Sequence, residues 1–162
     1  MVFRPLRRAR QALPRESCEA ILQAVSTGVL ALQGDGGYPY AVPLNFAYAG
    51  GRVYFHCAKQ GHKLDAVRRC PKASLCVVEK DAVVPEKYTT AYRSVIVFGT
   101  VRVLEDPAAM HAALAALARK YAPAESEASH RAEIARYRDE VCVLELTPAH
   151  ISGKQGLELL HD

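Results

Sequence analysis

The chain has 162 residues, 50% of them apolar and 23% charged, with a formal net charge of +4. That length and balance fit one globular domain, residues 1–162, with a real hydrophobic core. No apolar run approaches the ~20 residues that a membrane-spanning helix needs. The five cysteines are scattered and never spaced as CxxC. This speaks against a disulfide framework or a structural zinc site, no metal is expected, and a reducing cytoplasm is the natural location.

Much of the positive charge sits in Arg4, Arg7, Arg8 and Arg10. No apolar segment or cleavage site follows, so the stretch is not a signal peptide. Residues 1–12 are expected to form a flexible basic arm. The arm has no aromatics interleaved among its arginines and no nucleic-acid-binding motif after it, so nucleic acid is not an expected partner; with no long apolar run and no anchor, neither is a membrane.

Leu13-Pro14 signals the first helix, with proline at the first helical position. Cys18, Ile21, Leu22 and Val25 form its apolar stripe, and Gly28 is the expected stop. Val29–Leu32 is a strand running into the turn Gly34–Gly37. The chain returns through Tyr38–Tyr48, with Pro43 at an edge or bulge because proline offers no ladder donor. After Ala49-Gly50-Gly51, a third strand covers Arg52–Ala58. There Val53, Phe55 and Cys57 point one way, and Tyr54, His56 and Ala58 the other.

His62–Arg69 reads as a short helix ended by Cys70-Pro71. Ala73–Glu79 is a fourth strand, and Asp81–Ala91 a polar connection long enough to be a functional loop. Tyr92–Leu104 is the longest strand, bent or bulged at Gly99. Asp106-Pro107 opens a helix carrying Met110, Leu114, Leu117 and Tyr121. A more polar helix, Ser126–Arg138, follows. Val141–Leu146 is the sixth strand, and Pro148–Gly156 a loop holding Ser152-Gly153-Lys154. Short connections favour antiparallel pairing, and six such strands suit a small closed barrel better than an open sheet. The expected class is mainly β with flanking helices.

Chemistry concentrates at the end of the third strand. Gly61 lets the backbone approach a ligand, the following helix start presents free N–H groups, and Lys63 adds a full charge. Together they describe an anion site. His56 is a candidate contact at the strand end, able to donate, accept or gain charge near neutral pH. Arg93 and Lys154 are further cationic candidates. No Ser/His/Asp set, Walker loop, GxGxxG or paired-carboxylate motif is evident.

Five segments, in order, resemble the pyridoxamine 5'-phosphate oxidase-like flavoproteins, and within them the nitroimidazole-resistance group. They are Tyr38–Leu44, Val53–Ala58, Gly61–Asp65, Tyr92–Gly99 and Ile151–Lys154. The resemblance implies a six-stranded antiparallel split β-barrel, a homodimer, and one FMN in each of two clefts between subunits. By similarity, Val42, Pro43 and Leu44 lie along the isoalloxazine edge. Phe55, His56, Cys57 and Ala58 line the ribityl and phosphate end, and Gly61, His62 and Lys63 hold the phosphate. Ser94 and Val95 close the site from the partner chain, with Lys154 a further contact.

The second strand lacks the basic residues that true pyridoxamine phosphate oxidases use for FMN, and the set that binds their vitamin substrate has no counterpart. The implied activity is therefore electron transfer from NADH or NADPH to a small acceptor such as a nitroaromatic or quinone, with His56 the best candidate for an acid or base. The alternative is a non-catalytic flavin- or haem-binding dimeric module for storage or sensing.

Overall fold

The computed structural model describes residues 2–160. Met1 of the expected arm, and His161 and Asp162 of the expected domain, lie outside the described residues. The chain enters through a 3-10 turn (Ala9–Gln11) and a two-residue strand β1 (Ala12–Leu13). Over its described part the expected arm lies against the sheet: the Phe3 ring stacks on His150 at 4.8 Å and meets Phe98 at 5.5 Å.

Helix α1 (Arg15–Ala24) has Pro14 as its N-cap, one place earlier than the sequence suggested, and buries Cys18, Ile21 and Leu22. It ends at Val25, which is extended, and not at Gly28. Gly28 lies inside β2 (Thr27–Gln33), where a Cβ would come 2.7 Å from Leu75 Cδ1. Close packing, not helix termination, explains that glycine.

The Gly34–Gly37 turn forms as expected, with Gly36 and Gly37 at positive φ. The returning segment is two strands, β3 (Pro39–Asn45) and β4 (Ala47–Ala49), hinged at the fully buried Phe46. The Phe46 N–H donates to the Tyr121 hydroxyl at 2.9 Å, which satisfies the peptide at this corner. Strand β5 (Arg52–Ala58) and helix α2 (His62–Arg69) match their expected bounds.

Two expected loops are corrected. Strand β6 (Lys72–Val84) and strand β7 (Thr89–Val103) stay paired out to Val84↔Thr89. The Asp81–Ala91 connection is therefore a projecting hairpin, turned by Pro85–Lys87 and by Tyr88 at φ 49°. Its β-branched residues pair through the backbone although its side chains are largely solvated, and this hid it from a reading based on burial. Strand β8 (Val141–Gln155) likewise runs through the expected C-terminal loop. Pro148 sits at a register shift opposite Gly99, where a missing N–H is tolerated. Between β7 and β8 come α3 (Pro107–Tyr121), capped by the Asp106 side chain, and α4 (Glu127–Tyr137), capped by Ser126.

Among the described residues the sheet has eight strands in the order β3-β2-β6-β7-β8-β5-β4, with β1 on β8, and every pair is antiparallel. The count exceeds the expected six because one expected strand divides at Phe46 and β1 is added; the split-barrel class is unchanged. Phe46, Phe55, Leu30, Leu75, Leu144 and Leu146 fill the interior. Helix α3 covers the outside of β5 and β8, where Leu104, Ala113 and Val143 make a second small core.

Candidate functional site

The two ends of the strand order, β3 and β4, are joined through Phe46, so the barrel closes by a corner and not by a ladder. Strand β5 pairs with β8 from Val53 to Ala58, but β4 covers its other edge only as far as Tyr54. Among the described residues, strand β3 pairs only with β2. Residues 55–58 and the free side of β3 therefore border one split. Val42, Pro43 and Leu44 stand on the β3 border, and Phe55, His56, Cys57 and Ala58 on the β5 border.

Helix α2 starts at one end of this split. Gly61 takes φ 129° and ψ 166°, a region open to glycine, and a Cβ there would meet nothing within 4 Å. The Leu64 and Asp65 N–H groups donate to the Gly61 carbonyl at 2.9 and 3.3 Å. Helix geometry leaves the His62 and Lys63 N–H groups ahead of them pointing outward, with the half-buried Lys63 beside them. The His62 ring stacks on Tyr40 at 4.1 Å, and its Nε2 lies 3.4 Å from Asp35. Asp35 also pairs with Arg69 at 2.8 Å, which fixes the β2–β3 turn against α2. Burial pushes the Cys57 thiol up, while the charge of Lys63 acts in the opposite direction.

Apart from His56, the expected site residues divide into three groups. Val42, Pro43, Leu44, Cys57, Ala58, Gly61, His62 and Lys63 share the split. Phe55 and Val95 are fully buried in the core, so from those positions only the backbone can face a ligand. Ser94 and Lys154 are register partners on the outer face of β7 and β8, away from both borders of the split. The Lys154 ammonium lies 5.3 Å from the Tyr92 ring centroid. Arg93 is engaged by Glu79 at 3.4 Å and Gln155 at 3.3 Å.

His56 points outward from β5 into a groove of about 520 Å³ under α3 and α4. Asn45, Leu117, Tyr121, Ile134 and Val141 are among its lining residues. An apolar groove with a few polar groups at its rim is the usual form of a small-molecule pocket. Sequence reasoning missed it because its walls are far apart in the chain and its helical residues read simply as an apolar stripe.

The outer face of the sheet carries several exposed apolar side chains. Val29, Cys76, Ile96 and Ser152 align in one cross-strand row, with Pro43 continuing it onto β3. Ala31, Ser74, Phe98 and His150 form the next row, and Val78, Ser94 and Lys154 another. Val29, Val78, Ile96 and Phe98 are all exposed on this face.

A family model described as pyridoxamine 5'-phosphate oxidase matches residues 14–155. An uncharacterised protein of Rhizobium meliloti (strain 1021) is 35% identical over 69 residues, which are 43% of this chain and 44% of that protein. Among solved structures, a conserved hypothetical protein of Mycobacterium tuberculosis superposes with a TM-score of 0.82 at 17% identity, covering 96% of this chain and 92% of that one. A FAD- and haem-binding protein of Mycobacterium smegmatis gives 0.73 at 28% identity, covering 91% and 74%. A candidate 5-nitroimidazole antibiotic resistance protein of Bacteroides thetaiotaomicron gives 0.72 at 21% identity, covering 89% and 86%.

Proposed function

Since the chain belongs to the pyridoxamine 5'-phosphate oxidase family, we propose that it binds FMN in the split between β3 and β5 and works as a dimeric oxidoreductase. The observation that carries this reading is the convergence of two free strand edges on the Gly61–Lys63 helix start. The residues fit the group. A glycine cradle, outward N–H groups and one lysine suit a phosphate. The unpaired edge of β3 at Val42–Leu44 offers backbone groups to the polar rim of a flat ring.

A bound flavin supplies the two-electron chemistry. This chain's residues bind, orient and enclose. Lys63 and the first turn of α2 hold the phosphate, and Tyr40 stacked on His62 closes that end of the split. His56 stands at the rim of the groove under α3 and α4 as the candidate acid or base, where a nitroaromatic or quinone would lie. The reductant is NADH or NADPH, which needs no site of its own if it stacks transiently in the same place.

The partner is a second copy of this chain. The apolar rows centred on Val29, Ile96 and Val78 are the surface it would cover, since a contiguous exposed apolar patch on a small domain marks an interface. A twofold contact there would be isologous. It would carry Ser94 and Lys154 of one copy toward the split of the other, which explains why one protomer does not bring them together.

The purified protein tests this directly. It should be yellow, bleach with NADH or NADPH, and regain colour with a nitroaromatic or quinone; mass analysis of the released cofactor should give FMN. The competing reading is a non-catalytic binding module. It draws on the Mycobacterium smegmatis neighbour, which binds FAD and haem. A yellow protein inert to both nucleotides, or one with a haem absorption band, would support it. Colourless protein that takes up no added FMN would sink the flavin reading.

A further inference from the structure

Cys57 and Cys142 face each other across the β5–β8 ladder. The neighbouring hydrogen bonds set how close they stand. The Leu104 N–H donates to the Val143 carbonyl at 2.9 Å, so Val143 turns its peptide groups toward β7. Alternation along β8 then turns those of Cys142 toward β5, making Cys57 and Cys142 a hydrogen-bonded pair. Such pairs lie about 5.5 Å apart between Cα atoms, with both side chains on one face. Disulfides accept Cα separations of roughly 4.4–6.8 Å, but their Cβ atoms stand ~3.5–4.5 Å apart, closer than the ~4.5–5.5 Å of opposed strand residues, so closure draws β5 and β8 together locally and leaves a strained, readily reduced bond. Both residues are free thiols. Cys142 is buried, whereas Cys57 is partly open and close enough to Lys63 to feel its charge.

The other cysteines have no such partner. Cys76 is flanked by Val29 and Ile96, and Cys18 packs against Gly153. Cys70 is the residue that ends α2.

We propose that Cys57 and Cys142 are a dithiol site that closes to a reversible disulfide, tying β5 to β8 beside the first turn of α2. The oxidant is a low-molecular-weight disulfide, RSSR. Cys57 gives its proton to solvent, and its thiolate attacks one sulfur of RSSR. That S–S bond breaks, and the leaving thiolate takes a proton to become RSH. Cys142 then loses its proton to solvent and attacks the Cys57 sulfur. The mixed disulfide breaks, the protein disulfide forms, and a second RSH leaves. Two protein thiols lose two electrons, which RSSR gains in becoming two RSH. Cys57 goes first because it is the more exposed. Burial holds its thiol up, so closure speeds as pH rises.

The test needs only the whole protein. Reduced protein is incubated with oxidised glutathione at neutral pH and at about pH 9, quenched in acid and mapped without reductant. The expected result is a crosslinked Cys57–Cys142 peptide and an intact mass lighter by two hydrogen atoms, both reversed by dithiothreitol. Cys142→Ala, or Cys142→Ser if the first variant folds poorly, should stall with glutathione attached to Cys57. A stable glutathione adduct on wild-type Cys57 with Cys142 still open to alkylation would overturn the proposal. So would two unreacted thiols at both pH values. None of these readouts involves flavin, so the site stands or falls independently of the flavin reading.

Discussion

Lys63 is one charge at the start of one helix, and its position was legible because every signal for it is local. The strand end, Gly61 and the lysine are adjacent in sequence, and the structure keeps them adjacent in space. If the ammonium meets a phosphate, Lys63→Ala removes a charge-assisted contact worth about 1.5–3 kcal/mol. FMN affinity should then fall roughly 10- to 150-fold, read by flavin fluorescence titration; unchanged affinity would move the phosphate elsewhere. Glu145 is the opposite case. It is 4% exposed and meets Arg102 at 2.9 Å and Arg52 at 3.3 Å. Nothing in the sequence marks it, because its partners come from β5 and β7. Both arginines are substantially solvated, so Glu145→Ala should destabilise the fold by only about 1–2 kcal/mol, measured by urea unfolding, with little change in flavin affinity.

Elements follow the same division. Helices α1 and α3 announce themselves by apolar period and a proline near the start, α2 by its Cys70-Pro71 stop, and β5 by alternation. The β6–β7 hairpin and the second half of β8 do not, because their exposed side chains resemble those of loops while their backbones pair. The docking of α3 on α1 is equally hidden. The Lys120 ammonium donates to the Val25 carbonyl at 2.7 Å and the Leu22 carbonyl at 3.2 Å, at the C-terminal end of α1, and lies 4.1 Å from the Phe46 ring centroid. Burial pushes this lysine down to about 8 from its ordinary 10.5. Below about pH 8 both states carry the proton, and the folded state bears the full penalty of a half-buried charge. Between about 8 and 10.5 the folded state has released the proton while the unfolded chain still holds it. Stability therefore rises with pH across that window, since the unfolded state binds more protons there. Urea midpoints should show this rise for the wild type relative to Lys120→Met, which cannot titrate. Parallel pH profiles for the two proteins would show that Lys120 contributes nothing to the pH dependence.

At the scale of the molecule, antiparallel pairing and barrel closure were legible from short connections and turn residues. The split was not. It arises because β4 stops pairing with β5 at Tyr54 and the chain turns its corner at Phe46, a consequence of packing and hydrogen bonding to a tyrosine far along the chain. The outer face was hidden for a different reason. Val29, Val78 and Ile96 come from three separate strands, and only the register aligns them with Ser94 and Lys154. If that face is the subunit interface, a charge at its centre should act on assembly and on the cofactor together. Ile96→Glu would set a carboxylate against its own image across a twofold axis, where an unpaired buried charge is strongly disfavoured. The core should be spared, because Ile96 points away from Val95 and Val97, which are fully buried. The variant should elute as a folded monomer in size-exclusion chromatography with light scattering. It should also lose FMN affinity, although no residue of its own split has changed. A monomer that keeps wild-type affinity would place the whole flavin site within one chain and leave Ser94 and Lys154 without a role in it. A variant that remains dimeric would mean that the second copy sits on another surface.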